Sequence, residues 1–391
     1  MRMNFNAALV AACLASLPFH AFAAQPLLPP ARGDQVPTRL VSLPAPAGQF
    51  ERAPVSFSWA LDPRVALSPP TPYVAESREY WRTVDGVELQ KGVSVQTSAP
   101  GAVIRISPGR GAAPIEAKQV GVTGHGKAVR LEQAASAVAL QAAGMDVQAG
   151  TAVVKLAREN GAGAYSLHAR NAKGRYVVHV YEPESAVRLK AHADRQHALG
   201  GETVTVTLEA YRDDRSIPAQ AEALLVAPDG SSLPVRVARD TAGRLAAKVK
   251  LPAQASSAAG LWELQLFATA DGIARDARTA FGVAAPTARL RGDITVSGAQ
   301  LRAVVPLESA SPGRYEVRGT LYATASDGSL APVSQAHSAA WFGRGKGSLV
   351  LAFDRAHVPS GYGAPYEIRD LQLNDQSRMA PLETRSRAAR F

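Results

Sequence analysis

The stretch G-V-T-G-H-G-K-A-V, Gly121–Val129, sets a glycine, four residues, then Gly126 and Lys127. This is almost the spacing of a phosphate-cradling loop, in which backbone amides wrap phosphate oxygens and the lysine offsets their charge. Such a loop also needs a Ser or Thr after the lysine to hold Mg²⁺, and a helix directly behind it. Here Ala128 follows Lys127, and the helix-favouring stretch starts several residues late. The simpler expectation is a hairpin: I-E-A-K-Q-V-G-V, a glycine turn at Gly124–Gly126, then K-A-V-R-L-E. No nucleotide cofactor is expected.

Other chemistry-bearing clusters are sparse. H-A-D-R-Q-H brings His192, Asp194 and His197 within six residues, three ligands suited to Zn²⁺ or Ni²⁺, but its spacing matches no standard metal site. A solvated turn is expected there and no metal is assigned. Asp213-Asp214 precedes R-S-I-P and reads as a turn. Asp370 and Asp375 flank L-Q-L-N, and their odd separation places them on opposite strand faces, so neither pair makes a hydrolytic dyad. The H-E-x-x-H helix, the G-x-S-x-G elbow and the EF-hand loop are all missing. The catalytic residues, if any, are unknown from sequence.

The elements that would carry these residues are mainly β. G-V-S-V-Q-T-S-A-P-G-A-V-I-R-I-S-P alternates and turns at Pro100-Gly101. E-T-V-T-V-T-L-E-A-Y is a clean strand, with Val204, Val206 and Leu208 on one side and Thr203, Thr205 and Thr207 on the other. Asp229-Gly230, Asp271-Gly272 and Asp327-Gly328 each join two strand-like runs. One stretch, Arg130–Met145, is rich in Ala, Leu and Gln and is expected to be a helix inserted in the first domain, capped near Gly144. Of the four tryptophans, Trp262 and Trp341 are expected in cores. The expected fold class is mainly β: an N-terminal β-rich domain with a short inserted helix, then two immunoglobulin-like β-sandwiches. The expected divisions are a signal peptide at 1–23, a Pro-rich leader or linker at 24–56, the N-terminal domain at 57–185, and sandwiches at 186–285 and 286–391 with a basic tail. The leader, rich in Pro, Ala and Gly, is expected to be extended and poorly packed.

The first residues decide location. Arg2 precedes an apolar run from Ala7 to Leu17, and Ala21, Phe22 and Ala23 form an A-x-A cleavage site. The run is well short of the ~20 residues that span a bilayer, and no longer one follows, so a soluble exported protein is expected, periplasmic or extracellular. Cys13 is the only cysteine and lies within this segment, so the mature chain should hold no thiol and no disulfide. The net charge of +10 is spread along the chain rather than gathered in an arm, which argues against nucleic-acid binding. Its one concentration is the tail, where Arg378, Arg385, Arg387 and Arg390 face Glu383. That tail is expected to be solvated, and could touch an anionic surface.

Three stretches, Y-W-R-T-V-D-G-V-E-L-Q-K-G-V-S-V-Q-T-S-A-P-G-A-V-I-R-I-S-P, G-L-W-E-L-Q-L-F-A-T-A-D-G-I-A-R-D-A-R-T-A-F-G-V-A-A-P-T-A-R-L and G-Y-G-A-P-Y-E-I-R-D-L-Q-L-N-D-Q-S-R-M-A-P-L-E, carry a resemblance. Together they resemble a domain-of-unknown-function family of secreted Gram-negative proteins with an N-terminal β domain and two immunoglobulin-like sandwiches. The last also resembles sandwich modules that end some bacterial surface and von Willebrand A-type proteins. The resemblance implies fold and export, and carries over no functional residue. The leading expectation is a monomeric, non-enzymatic exported protein whose sandwiches bind a protein, an envelope glycan or an anionic surface. The alternative is an envelope or extracellular hydrolase with its site in the N-terminal domain, recognisable by a cleft holding acids or histidines. A third reading, an assembly factor like pilus chaperones, would need an exposed edge strand.

Overall fold

The structure, a computed structural model, describes residues 23–68, 70–253, 258 and 260–391. The signal-peptide features before Ala23, including Cys13, lie outside the described residues. The fold is mainly β, built of antiparallel sheets stacked as sandwiches. The chain divides into two units, one of residues 70–285 and one that joins residues 23–68 to Pro286–Phe391.

The first of these units is organised by one ten-stranded sheet. Its first half runs Glu79–Asp85, Arg175–Tyr181, Val103–Pro108, Ala152–Leu156, Leu131–Ser136. Its second half runs Ile273–Ala284, Trp262–Ala270, Ala219–Val226, Ser232–Val235. A single register pair, Asp276 with Glu79, joins the halves. A four-stranded sheet that starts with Val93–Thr97 and Gly163–Ala169 closes a core with the first half, around Ile104, Ile106, Leu167, Tyr176 and Val178. A six-stranded sheet centred on Thr203–Arg212 closes a second core, around Leu189, Val204, Val206, Leu225, Trp262 and Phe281. The alternation in E-T-V-T-V-T-L is what buries Val204, Val206 and Leu208 while Thr203 stays exposed. Ala75–Ser77, expected in the N-terminal domain, pairs with Val187–Ala193 and so extends the second sandwich.

The Ala-rich stretch expected to be a helix from Arg130 to Met145 is a strand, Leu131–Ser136, followed by a short helix, Ala137–Ala142. Pairing with Ala152–Leu156 satisfies the backbone of its first half, and that tertiary partner outweighs a weak helix preference. Gly144 does follow the helix with φ +81°. A second helix, Gly86–Lys91, was not expected. Its signal is D-G-V-E, in which the Asp85 amide donates to the Glu88 carboxylate at 3.1 Å.

The other unit is a sandwich of two five-stranded sheets. One holds Arg302–Ser309 between Gly345–Ala352 on one side and Ala288–Leu290 with Asp293–Ser297 on the other. The other runs Val55–Ala60, Leu330–Phe342, Gly313–Ala325, Tyr362–Asp375, Ala380–Arg390. Here the leader departs from expectation. It is extended but firmly attached. Ala23–Pro26 pairs with Asp293–Ser297, and Val55–Ala60 pairs with Leu330–Phe342. Between them the Leu28 amide donates to the Ala388 carbonyl, and the buried Gln35 side chain donates to the carbonyls of Pro381 and Leu382. Arg378 donates to Pro44 O, and Arg314 donates to Glu51 O and Ala53 O. Proline fixes an extended backbone and has no N–H to satisfy, while carbonyls still accept, so side-chain donors can hold a segment too poor in apolar residues to form a core.

The tail also differs from expectation. Ala380–Arg390 is a strand of this sheet rather than a solvated end. Arg378 pairs with Asp375 at 2.7 Å, Arg385 with Glu383 at 2.7 Å, and Arg387 with Glu367. Each acid is almost fully buried. Arg378 and Arg385 are thereby held within the sandwich, while Arg387 and Arg390 remain exposed.

Candidate functional site

A cleft of about 660 Å³ lies within the unit of residues 70–285, where the two halves of the long sheet meet. Its walls come from strands far apart in sequence. Glu79–Asp85 supplies Tyr80, Trp81 and Arg82, and Val93–Thr97 supplies Ser94 and Gln96. Ala219–Val226 supplies Gln220 and Glu222, Trp262–Ala270 supplies Phe267 and Thr269, and Ile273–Ala284 supplies Asp276.

Trp81 is its apolar anchor. Phe267 meets the indole edge-on, with centroids 5.7 Å apart and planes at 69°. The Arg278 guanidinium stands 5.0 Å from the same ring. These partners fix the orientation of Trp81. Tyr80 braces the neighbouring wall: its hydroxyl donates to Gln96 O at 2.9 Å and accepts from Gln96 N at 3.1 Å. Burial pushes the Tyr80 phenol up to about 12, so it stays protonated.

Asp276 is the titratable group of the cleft. Ile273–Ala284 breaks alternation at this point, since Arg275, Asp276 and Ala277 are buried in succession. Arg275 and Ala277 face inward. Asp276 stays covered on the opposite side because its carboxylate accepts the Trp81 amide at 2.8 Å. Burial pushes its carboxyl up to about 6, with Glu79 adding in the same direction and the amides of Trp81 and Ala268 opposing. It can therefore donate or accept a proton near neutrality. Glu79 does not join it as a second acid of a dyad. Its carboxylate lies 2.8 Å from His179 Nε2, and that hydrogen bond holds it below the usual range.

Beneath the cleft the two halves are fastened by a fully buried ion pair. Arg275 Nη2 donates to Glu182 at 2.5 Å, to Ser98 Oγ at 2.8 Å and to Ser185 Oγ at 2.6 Å. Its Nε donates to Val187 O at 2.9 Å. Glu182 also accepts the amides of Ser98 and Ala99. With its polar atoms paired, this cluster makes a rigid floor.

The residues singled out by sequence fall elsewhere. Gly121–Val129 is a hairpin: Val120–Gly124 pairs with Lys127–Ala128, and His125 and Gly126 form the turn with φ +49° and +75°. Both residues at positive φ describe the mirror-type hairpin turn, not a strand–loop–helix. In H-A-D-R-Q-H, Asp194 accepts the Thr205 amide, His192 sits in Val187–Ala193 and His197 in His197–Leu199. Among the described residues no group of three His, Asp or Glu side chains is placed to hold a metal. Asp213-Asp214 is the turn between Thr203–Arg212 and Arg215–Ile217. Asp370 is exposed while Asp375 is buried against Arg378 and Thr287, so the two do not meet. Trp262 is core, whereas Trp341 is only partly covered, packed on Phe50 with Arg52 4.7 Å from its ring. No single motif marks the cleft. Its one local trace is R-D-A-R, Arg275–Arg278, charges set within an otherwise apolar strand.

Comparison with known proteins agrees with this architecture. Two family models match: the DUF4785 N-terminal domain, a domain of unknown function, over residues 46–182, and the DUF4785 C-terminal domain over residues 287–391. No curated protein matches. Among solved structures, a DUF4785 family protein from Legionella pneumophila is similar with a TM-score of 0.69 and 20% identity, covering 90% of this chain and 98% of that one. The Yersinia pseudotuberculosis adhesin InvE overlaps at TM-score 0.19 and 14% identity, over 53% of this chain and 66% of that one. A Salmonella alpha-2-macroglobulin overlaps at 0.26 and 14%, over 81% and 20%. Overlaps of the last two sizes do not define a shared fold.

Proposed function

This chain belongs to the DUF4785 family, whose role is not known, and from that premise we propose that it is an exported, non-enzymatic binding protein whose ligand enters the Trp81 cleft. The observation that carries this reading is the braced aromatic wall of Trp81 and Phe267 facing Gln96, Gln220, Glu222 and Asp276. A few placed polar groups around an apolar anchor is the usual composition of a ligand site. The rings and amides suit an envelope glycan, which offers apolar faces edged by hydroxyls. Export is supported by the basic residue, apolar run and A-x-A site of the first 23 residues. No helix among the described residues is long and apolar enough to cross a membrane.

The test is a photo-crosslinker placed at Gln220, with a second placed at exposed Lys248 as the control. Cells expressing each form are irradiated, then fractionated into periplasm and medium, and adducts are identified by mass spectrometry. A saccharide adduct specific to Gln220, lost in Trp81→Ala, is expected. Identical adducts from both positions would overturn the reading.

A second reading, a hydrolase, is favoured by one observation, the Asp276 carboxyl held near 6 in the cleft. Release of reducing ends or peptides from envelope polymers, abolished in Asp276→Asn, would replace binding by catalysis.

A further inference from the structure

The outer strand Val55–Ala60, in the unit that contains the C-terminal sandwich, has the sequence V-S-F-S-W-A. Its serines turn inward: Ser56 Oγ donates to Val350 O at 3.4 Å, and Ser58 Oγ accepts the Asp354 amide at 3.2 Å. Phe57 and Trp59 therefore point outward, and they remain 50% and 39% exposed. Phe57 lies opposite His337, with ring centroids 5.3 Å apart and planes within 7°. Trp59 lies 4.9 Å from the same imidazole, at 27°. Phe57 and Trp59 thus stand next to solvent on the open face of the sheet and cover the imidazole of His337, whose side chain is 14% exposed.

Polar side chains continue from the rings across the same face. Register pairs put Arg318 beside His337 and Gln372 beside Arg318, and directly opposed residues share a face. These groups are ordered by one another. Arg318 donates to Gln372 Oε1 at 2.7 Å, and Asn374 donates to Glu316 Oε2 at 3.3 Å. His337 Nδ1 lies 2.6 Å from Glu316 Oε1. The acids and guanidiniums of this face offset one another: Glu316 stands beside Arg318 and His337, and Arg369, opposite Thr320, pairs with Glu367, so the row presents no block of like charge to a phosphate or a polyanion.

We propose that this face is a binding site for a neutral pyranose chain, independent of the Trp81 cleft. One sugar face, lined by C–H groups, meets the exposed ring surface of Phe57 and Trp59. Hydroxyls both donate and accept, and the amides of Gln335, which lies opposite Trp59, Gln372 and Asn374 supply both functions. A neutral row of donors and acceptors complements a neutral polyol.

The test titrates the full mature protein with cellohexaose, laminarihexaose and mannohexaose, followed by tryptophan fluorescence and calorimetry. Saturable binding of at least one is expected. Trp59→Ala and Phe57→Ala should each weaken it about tenfold, with unchanged thermal midpoints, because both side chains are half exposed. Gln372→Ala should weaken it as well, and Trp81→Ala should leave it intact. Failure of all three oligosaccharides to bind would overturn the proposal, as would a preference for heparin over them. So would a dimer in sedimentation that Trp59→Ala dissolves. Loss through Trp81→Ala alone would credit the cleft and not this face.

Discussion

Replacing Arg275 by methionine should be among the most damaging single changes in the unit of residues 70–285. Arg275 and Glu182 are both 0% exposed, and Arg275→Met would leave the Glu182 carboxylate buried with no counter-charge. Breaking one side of a buried pair costs about 3–5 kcal/mol. At ~2–4 °C per kcal/mol for a unit of this size, the transition that reports Trp81 and Trp262 should fall by roughly 6–20 °C. Adding Glu182→Gln removes the stranded charge, while the new amide can still accept from the Ser98 backbone through its oxygen. The double variant should therefore recover at least ~1.5 kcal/mol of the loss, because an uncharged buried group costs less than a charged one. The assay is urea unfolding of the full chain followed by tryptophan fluorescence, with the single and double variants closing a mutant cycle. A loss below ~1 kcal/mol in Arg275→Met, or a double variant no more stable than the single, would refute the claim that this pair fastens the two halves.

Asp276 gives a pH signature. Its folded carboxyl sits at about 6 against an ordinary 3.8, so between those values the folded state holds the extra proton. Stability contributed here is present at low pH and is lost as pH rises through that window, and Asp276→Asn should flatten that part of the urea-midpoint profile. Arg385→Met would strand the buried Glu383 in the other unit, and should destabilise it by about 3 kcal/mol in the same urea assay. Gly126→Val forces a β-branched residue to φ +75°, and should cost roughly 1–3 kcal/mol with no other effect on the fold by circular dichroism.

Local β structure was legible from sequence because its signals are local. The glycines after Asp229, Asp271 and Asp327 all sit at positive φ, as the D-G turns implied. The alternation of Val204, Val206 and Leu208 placed the core face of its strand. What escaped notice depended on pairing across long sequence distances. Trp81, Phe267 and Asp276 meet only because Ile273–Ala284 joins Glu79–Asp85 through one register pair, which no window of sequence contains. The leader misled for a different reason. Its low apolar content correctly excludes a core of its own, yet says nothing about donors elsewhere that can grip its carbonyls, such as Arg314 and Gln35. The exposure of Trp59 is not legible in the sequence because an alternating strand shows two faces, and sequence alone does not say which one is left open.

The attachment of the leader to the last strand has a consequence for the order of events as the chain is made. Gln25 donates to the carbonyl of Arg390, 365 residues away. Residues 70–285 are contiguous and can complete their cores while later residues are still being synthesised. The sandwich that holds both ends cannot: it needs its earliest strand and its latest one together, so its closure is the slow, long-range step. Until then the strand edges beside Asp293–Ser297 and Leu330–Phe342 stay open to other chains. Synthesis from one end thus leaves this module as the last to mature and the one whose strand edges stay open longest.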